Sequence, residues 1–256
     1  MDRVLIVAAA AGLALAGASC DSEEPTPVPS EPPTKPVLEP GMATLQGRVL
    51  DVGGQPIDGA TISVLQTPAG ENPRMATSSA SGNWELTIPG DTTVTLRVEA
   101  MNYAPTYSNA LSVGKGQTSS GVELMMISPA QVDQLNGMGG SRPAEYGLAA
   151  LEVRSINGGC DPTGGKITIE PTQLGKVMYG RASDSMPDGA LTATQAGVKP
   201  AAWVLGVLPP GTYYRFRFEK AGCTQKAAPL TYRGRSYDGT LTIATKALSH
   251  GLLFVE

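Results

Sequence analysis

From Ala43 onward, apolar and polar residues alternate in short runs separated by Gly, Pro and Asn turns. That period of two belongs to strands that bury one face. Residues 44–50, 60–65, 84–88 and 93–100 read as four strands, the last with Val94, Leu96 and Val98 on one side. Residues 103–107 and 121–126 are shorter candidates, and the polar stretch ending at Ser81-Gly82-Asn83 reads as a loop. A second set follows at 147–154, 164–171, 177–179, 202–207 and 212–219, with a Pro209-Pro210-Gly211 turn before the last. Between the sets lies one helix signal. Ser128 is placed to cap it, Pro129 suits the first helical position, and Gln131 completes a capping box. Val132 and Leu135 share a face, and Gly137 is expected to end the helix. The pattern predicts an all-β chain of two small antiparallel β-sandwich modules, 42–127 and 143–256, joined by a short helix and linker at 128–142.

Ahead of the strands the pattern changes twice. Residues 4–18 are apolar and uncharged, too short for a membrane span and the right size for the core of a secretory signal. Residues 21–40 are rich in Pro and acids. Such a segment cannot bury a core and is expected to stay extended as a stand-off tether. Five acids there (Asp21, Glu23, Glu24, Glu31 and Glu39) face one base, Lys35, which accounts for the whole formal net charge of −4. From Gly41 on the chain is formally neutral, so no electrostatic drive toward nucleic acid is expected.

The end of the apolar run, Gly17-Ala18-Ser19-Cys20, resembles a bacterial lipobox, with Gly17 where Leu is usual and Leu15 further back. The resemblance implies a signal peptide at 1–19 and a lipidated Cys20 that opens a tether at 20–41. It also implies a membrane partner and a place in the bacterial cell envelope, at the outer membrane or the periplasmic side of the inner one. Of the three cysteines, Cys160 and Cys223 then remain. In an oxidising compartment they are expected to form a disulfide, the alternative being two unpaired buried thiols.

The first module carries a second resemblance. Gly47-Arg48-Val49-Leu50-Asp51, residues 54–64 (GQPIDGATISV), Ser81-Gly82-Asn83-Trp84 and Pro89-Gly90 resemble the carboxypeptidase regulatory-like domain, a transthyretin-like sandwich. Two positions depart from it: Thr77-Ser78 stands for Thr-Asp, and Asn102-Tyr103 for Gly-Tyr. The resemblance implies a non-catalytic module, since this domain flanks zinc carboxypeptidases without being their catalytic part. Asp51 and Asp58 read as turn-closing residues, with calcium binding as the alternative. Residues 143–256 resemble the same fold more distantly, as a diverged second copy.

Candidate chemistry is sparse. His250 is the one histidine, and a zinc peptidase site needs more ligands than that. No G-x-S-x-G elbow and no phosphate-binding glycine loop occurs. Asp184 and Asp188 are close in sequence, but Ser185-Met186-Pro187-Asp188-Gly189 reads as a turn. Tyr213, Arg215 and Arg217 alternate with Tyr214, Phe216 and Phe218, and strand geometry assigns the second set to the core. No metal, cofactor or enzymatic activity is expected. The function expected is binding or scaffolding at the envelope, with an envelope protein or polysaccharide as partner. The alternatives are a carbohydrate- or peptidoglycan-binding module, which needs exposed Trp and Tyr, and a hydrolase with an unrecognised carboxylate site.

Overall fold

The computed structural model describes residues 41–65, 74–139, 147–170, 176–208, 215–226, 230–241, 243–244 and 246–256. The expected signal peptide, Cys20, nearly all of the tether, the 209–211 turn, Tyr213 and Tyr214 lie outside the described residues.

The first set of strands is β1 (Met42–Asp51), β2 (Thr61–Val64), β3 (Met75–Thr77), β4 (Asn83–Pro89), β5 (Leu96–Glu99), β6 (Thr106–Ser112) and β7 (Thr118–Met126). They form two layers. One is the three-stranded sheet β4-β1-β7, antiparallel at β1·β4 and parallel at β1·β7. The other runs β3-β2-β5-β6. Alternate residues meet between the layers: Leu45 and Val49, Trp84, Leu86 and Ile88 from one side, Ile62, Val64, Leu96 and Val98 from the other.

Turn chemistry holds this sandwich together. Asp51 Oδ1 accepts from Gln55 N at 2.8 Å and closes the first turn. Asp58 is exposed. Ser78 is buried, donates to Ile57 O at 2.7 Å and accepts from Ala60 N at 2.9 Å, so it ties a loop that a bare backbone would leave unsatisfied. Asn102 adopts φ +67°, a conformation that Asn tolerates better than most residues after Gly. Both departures noted in the sequence therefore serve their turns.

Helix α1 (Pro129–Met138) follows. Ser128 Oγ accepts from Gln131 N at 3.2 Å while Gln131 Oε1 accepts from Ser128 N at 2.8 Å, the capping box read from sequence. The helix runs past Gly137, and Gly139 caps it instead. Gly137 faces solvent and costs helix stability without stopping it, while Met138 packs against the core below and holds the last turn.

The second set is β8 (Gly147–Ser155), β9 (Lys166–Glu170), β10 (Lys176–Gly180), β11 (Pro187–Asp188), β12 (Ala202–Leu208), β13 (Arg215–Glu219), β14 (Leu230–Tyr232), β15 (Arg235–Leu241) and β16 (Leu248–Val255). Strands β9 and β13 form an antiparallel pair whose Ile167, Ile169, Phe216 and Phe218 pack on Ala149, Leu151, Tyr179, Ala202 and Val204. Phe216 and Phe218 are thus core, as strand alternation requires.

The chain is all-β apart from α1 among the described residues, and two features add to the expected antiparallel modules. Strand β16 lies between β6 and β8, parallel to both, so one sheet runs β11-β10-β12-β8-β16-β6-β5-β2-β3 through the two sets. Strand β15 also pairs with β6. Tyr237 and Phe254 enter the first core, and residues 38–256 pack as one unit.

Gly47 shows how close the layers come. A Cβ there would collide with the Val122 carbonyl oxygen and stand 2.8 Å from the Trp84 ring. Gly47→Ala is expected to cost about 3 kcal/mol in urea unfolding. Gly137→Ala, with open space around it, is expected to gain about 0.5–1 kcal/mol. Equal effects of the two would contradict this packing.

Candidate functional site

The polar centre of the protein lies where β8 and β16 run side by side. On one face of β8 stand Leu148, Ala150, Glu152 and Arg154, and beside them on β16 stand Leu248, His250, Leu252 and Phe254. The row begins apolar, and Val132 and Leu135 of α1 belong to that cluster with Leu148, Ala150 and Leu248. It then turns charged. His250 is opposite Ala150 on β8 and Ser108 on β6, small neighbours that leave room for the imidazole.

His250 Nε2 donates to Glu152 Oε1 at 3.0 Å. Glu152 Oε2 accepts from Arg154 Nε at 2.9 Å and from Nη2 at 2.8 Å. Arg154 Nη2 also reaches Glu123 Oε2 on β7, at 3.0 Å. His250 and Glu152 are nearly sealed, with side chains 4% and 7% exposed, while Glu123 is 41% exposed. Burial pushes the Glu152 carboxyl up, but the hydrogen bond and charge of His250, with Arg154 beside it, outweigh burial and hold it at about 2. Above the cluster a small cleft of about 20 Å³ is lined by Glu123, Arg154, Arg235 and His250 among others, room for about one water.

A His–carboxylate pair can orient a general base, but among the described residues no Ser, Thr or Cys is hydrogen-bonded to His250. No group of three or more His, Cys, Asp or Glu among the described residues is placed to hold a metal. Asp184 pairs with Arg181 and accepts from Met186 N at 3.1 Å, and Asp188 accepts from Ala190 N at 2.8 Å, which are turn contacts. The Arg181 hydrogen bond holds the Asp184 carboxyl below its ordinary range, the opposite of what a general acid needs.

Residues 44–126, about a third of the chain, match the carboxypeptidase regulatory-like domain. They form a carboxypeptidase regulatory-like domain. No curated protein matches the chain. Among solved structures, the Bacillus anthracis TIE protein is similar at 13% identity and a TM-score of 0.26, over 84% of this chain; the chain spans about a third (34%) of that protein. GBS52, the minor pilin of Streptococcus agalactiae, is similar at 10% identity and 0.24, over 83% of this chain and 94% of its own. A candidate carbohydrate-binding protein from Bacteroides uniformis is similar at 12% identity and 0.29, over 81% of this chain and 100% of its own. Likeness at this level carries nothing about function.

The carboxypeptidase regulatory-like domain buries Trp84, and the second set buries Trp203, whose Nε1 donates to Ser185 O at 2.8 Å. Neither tryptophan can serve as a sugar platform. On the outer face of β9 and β13, Arg217 pairs with Glu170 at 2.9 Å. Cys160 and Cys223 are joined in a disulfide, Cα atoms 5.3 Å apart across 63 positions of sequence. That pair is legible in the sequence, whereas the roles of Glu123, Glu152, Arg154 and Arg235 are not. The one local signal was two charges, Glu152 and Arg154, at core-facing positions of an apolar strand.

Glu152 titrates lower in the folded chain than its ordinary 4.5, so its contribution is complete above pH 4.5 and is lost as the pH falls toward 2. The shift corresponds to about 3 kcal/mol. The stability gap between wild type and Glu152→Gln is expected to shrink over that window in acid titrations of urea unfolding, and a constant gap would refute the assignment. Reducing the disulfide, or Cys223→Ser, is expected to cost at most about 4 kcal/mol by the loop it closes; an unchanged melting temperature would count against it.

Proposed function

We propose that the chain is an envelope-anchored lipoprotein that binds or scaffolds without catalysis. The observation that carries the non-catalytic half is His250. The one histidine is buried against Glu152 beneath a cleft that admits about one water. Such a cleft leaves little room for a substrate, and no nucleophile is hydrogen-bonded to His250 among the described residues. The carboxypeptidase regulatory-like domain fits a module that serves other activities by recognition. No helix among the described residues is long and apolar enough to cross a membrane, and the proposed attachment is lipid on Cys20. Two or three acyl chains hold a protein to a bilayer, whereas one holds it only marginally. The tether then lifts the domains clear of the headgroups, by up to about 60 Å for twenty extended residues. The partner proposed is an envelope protein or polysaccharide, met by loops on a rigid support.

Detergent partitioning and intact mass of the protein from its own envelope, beside Cys20→Ala, test the anchor. The wild type is expected to partition with detergent and carry acyl mass, and the variant to do neither. Equal partitioning with unmodified mass in both would refute lipidation and leave a secreted binder.

A further inference from the structure

The seam cluster leaves one cation without a carboxylate. Arg235 on β15 is 1% exposed, as deeply buried as the core residues Leu111 and Leu124. Its Nη1 donates to Ser119 Oγ at 2.9 Å and to Ser120 O at 2.7 Å, its Nη2 donates to Gly121 O at 3.1 Å, and its Nε donates to Tyr237 Oη. All four acceptors are neutral, and no carboxylate pairs with the guanidinium among the described residues. Four of its five N–H donors are spent, so one remains. Hydroxyls and carbonyls satisfy hydrogen bonds but do not cancel a buried charge, and a buried cation without a counter-charge is costly.

The cleft lies against this group. Arg154, Arg235 and His250 line it, with Glu123 as the one acid in its wall. Arg154 spends Nε and Nη2 on Glu152 and Glu123, and its Nη1 has no acceptor among the described residues. Two guanidinium groups with unused donors thus line a space of about 20 Å³. That space suits a body of water size. A water would take the hydrogen bonds and leave the charge. We propose that the cleft is a binding site for one small inorganic anion of halide size, which supplies the counter-charge that Arg235 lacks.

Thermal unfolding of the full chain in sodium chloride and in sodium gluconate at equal ionic strength, together with anomalous diffraction from crystals soaked in bromide, tests the site. The expected result is a higher melting temperature in chloride and one bromide peak in the cleft against Arg235 and Arg154. Because Arg235→Met removes four buried hydrogen bonds and so disturbs folding itself, the discriminating variant is Glu123→Gln, which removes the lining carboxylate from a half-exposed position. It is expected to tighten bromide binding several-fold in solution. Equal melting in the two salts with no bromide peak would overturn the proposal in favour of an ordered water. A peak without any difference in solution would mark an adventitious ion only and overturn it equally.

Discussion

A strand buried on both faces and both edges must find a partner for every N–H and C=O along its length, and β16 meets that demand from several parts of the chain. Strand β8 pairs with it from Leu248 to Val255. On the other edge β6 pairs with only its first three residues, Leu248 to His250. Beyond them Asn109 Oδ1 accepts from Leu252 N at 2.7 Å, Lys226 N donates to Phe254 O at 2.8 Å, and Thr224 and Glu256 exchange bonds at 2.8 and 3.0 Å. Even positions of β16 face the helix and the first core, and odd positions face the second core. Removing this strand would open three apolar clusters at once. The carboxypeptidase regulatory-like domain is therefore not closed by residues 44–126 alone, since Tyr237 and Phe254 finish its core.

The buried charges follow from the same strand. A parallel strand flanked by two others has few local cues for its register, because no tight turn fixes it. A slip by one residue would turn Leu253 and Val255 out of the second core and swing His250 away from Glu152. The net gain from a buried ion pair is small, but the penalty for leaving either partner alone is large. The Glu152–His250 contact thus discriminates against wrong registers more than it adds to stability. The disulfide works beside it. It joins the loop before β9 to the loop after β13, and residues 224–226, immediately beyond Cys223, pair with the end of β16.

What could be read in advance divides along physical lines. Strands β2, β4 and β5 each bury one face, so alternation exposes them, whereas β1 buries its first four residues in a row and alternates only beyond them; α1 announces itself through Ser128, Pro129 and Gln131. The first strand of the second set, β8, was legible for its length but not for its meaning, because Glu152 and Arg154 look like surface charges until a partner is known. Strands β14, β15 and β16 went unread. In β16 both faces are buried, Ser249, His250 and Gly251 interrupt the apolar run, and period two disappears. Arg235 in β15 reads as solvent-facing from sequence alone. Glu152 and His250 stand 98 positions apart, and no local pattern connects them. Strand β3 falls in the stretch expected to be loop, because Met75-Ala76-Thr77 is short and mostly exposed.

The chemistry that a protein has at its disposal limits what it can do at its surface, and here most of it is committed inside. Trp84, Trp203 and His250 are buried. On the outer face of β9 and β13, Arg217 is matched to Glu170, and Thr168 Oγ1 donates to Glu219 Oε1 at 3.4 Å. Among its described residues such a face presents little net charge to a partner and no aromatic plane to a sugar. The large apolar side chains left exposed among the described residues are Met75 and Met101, both in the carboxypeptidase regulatory-like domain. Recognition by this chain, in the role proposed for it, would thus rest on the shape of turns fixed by Asp51, Ser78 and Asn102. Such a surface suits a partner that matches its contour, and long-range charge would contribute little to the encounter.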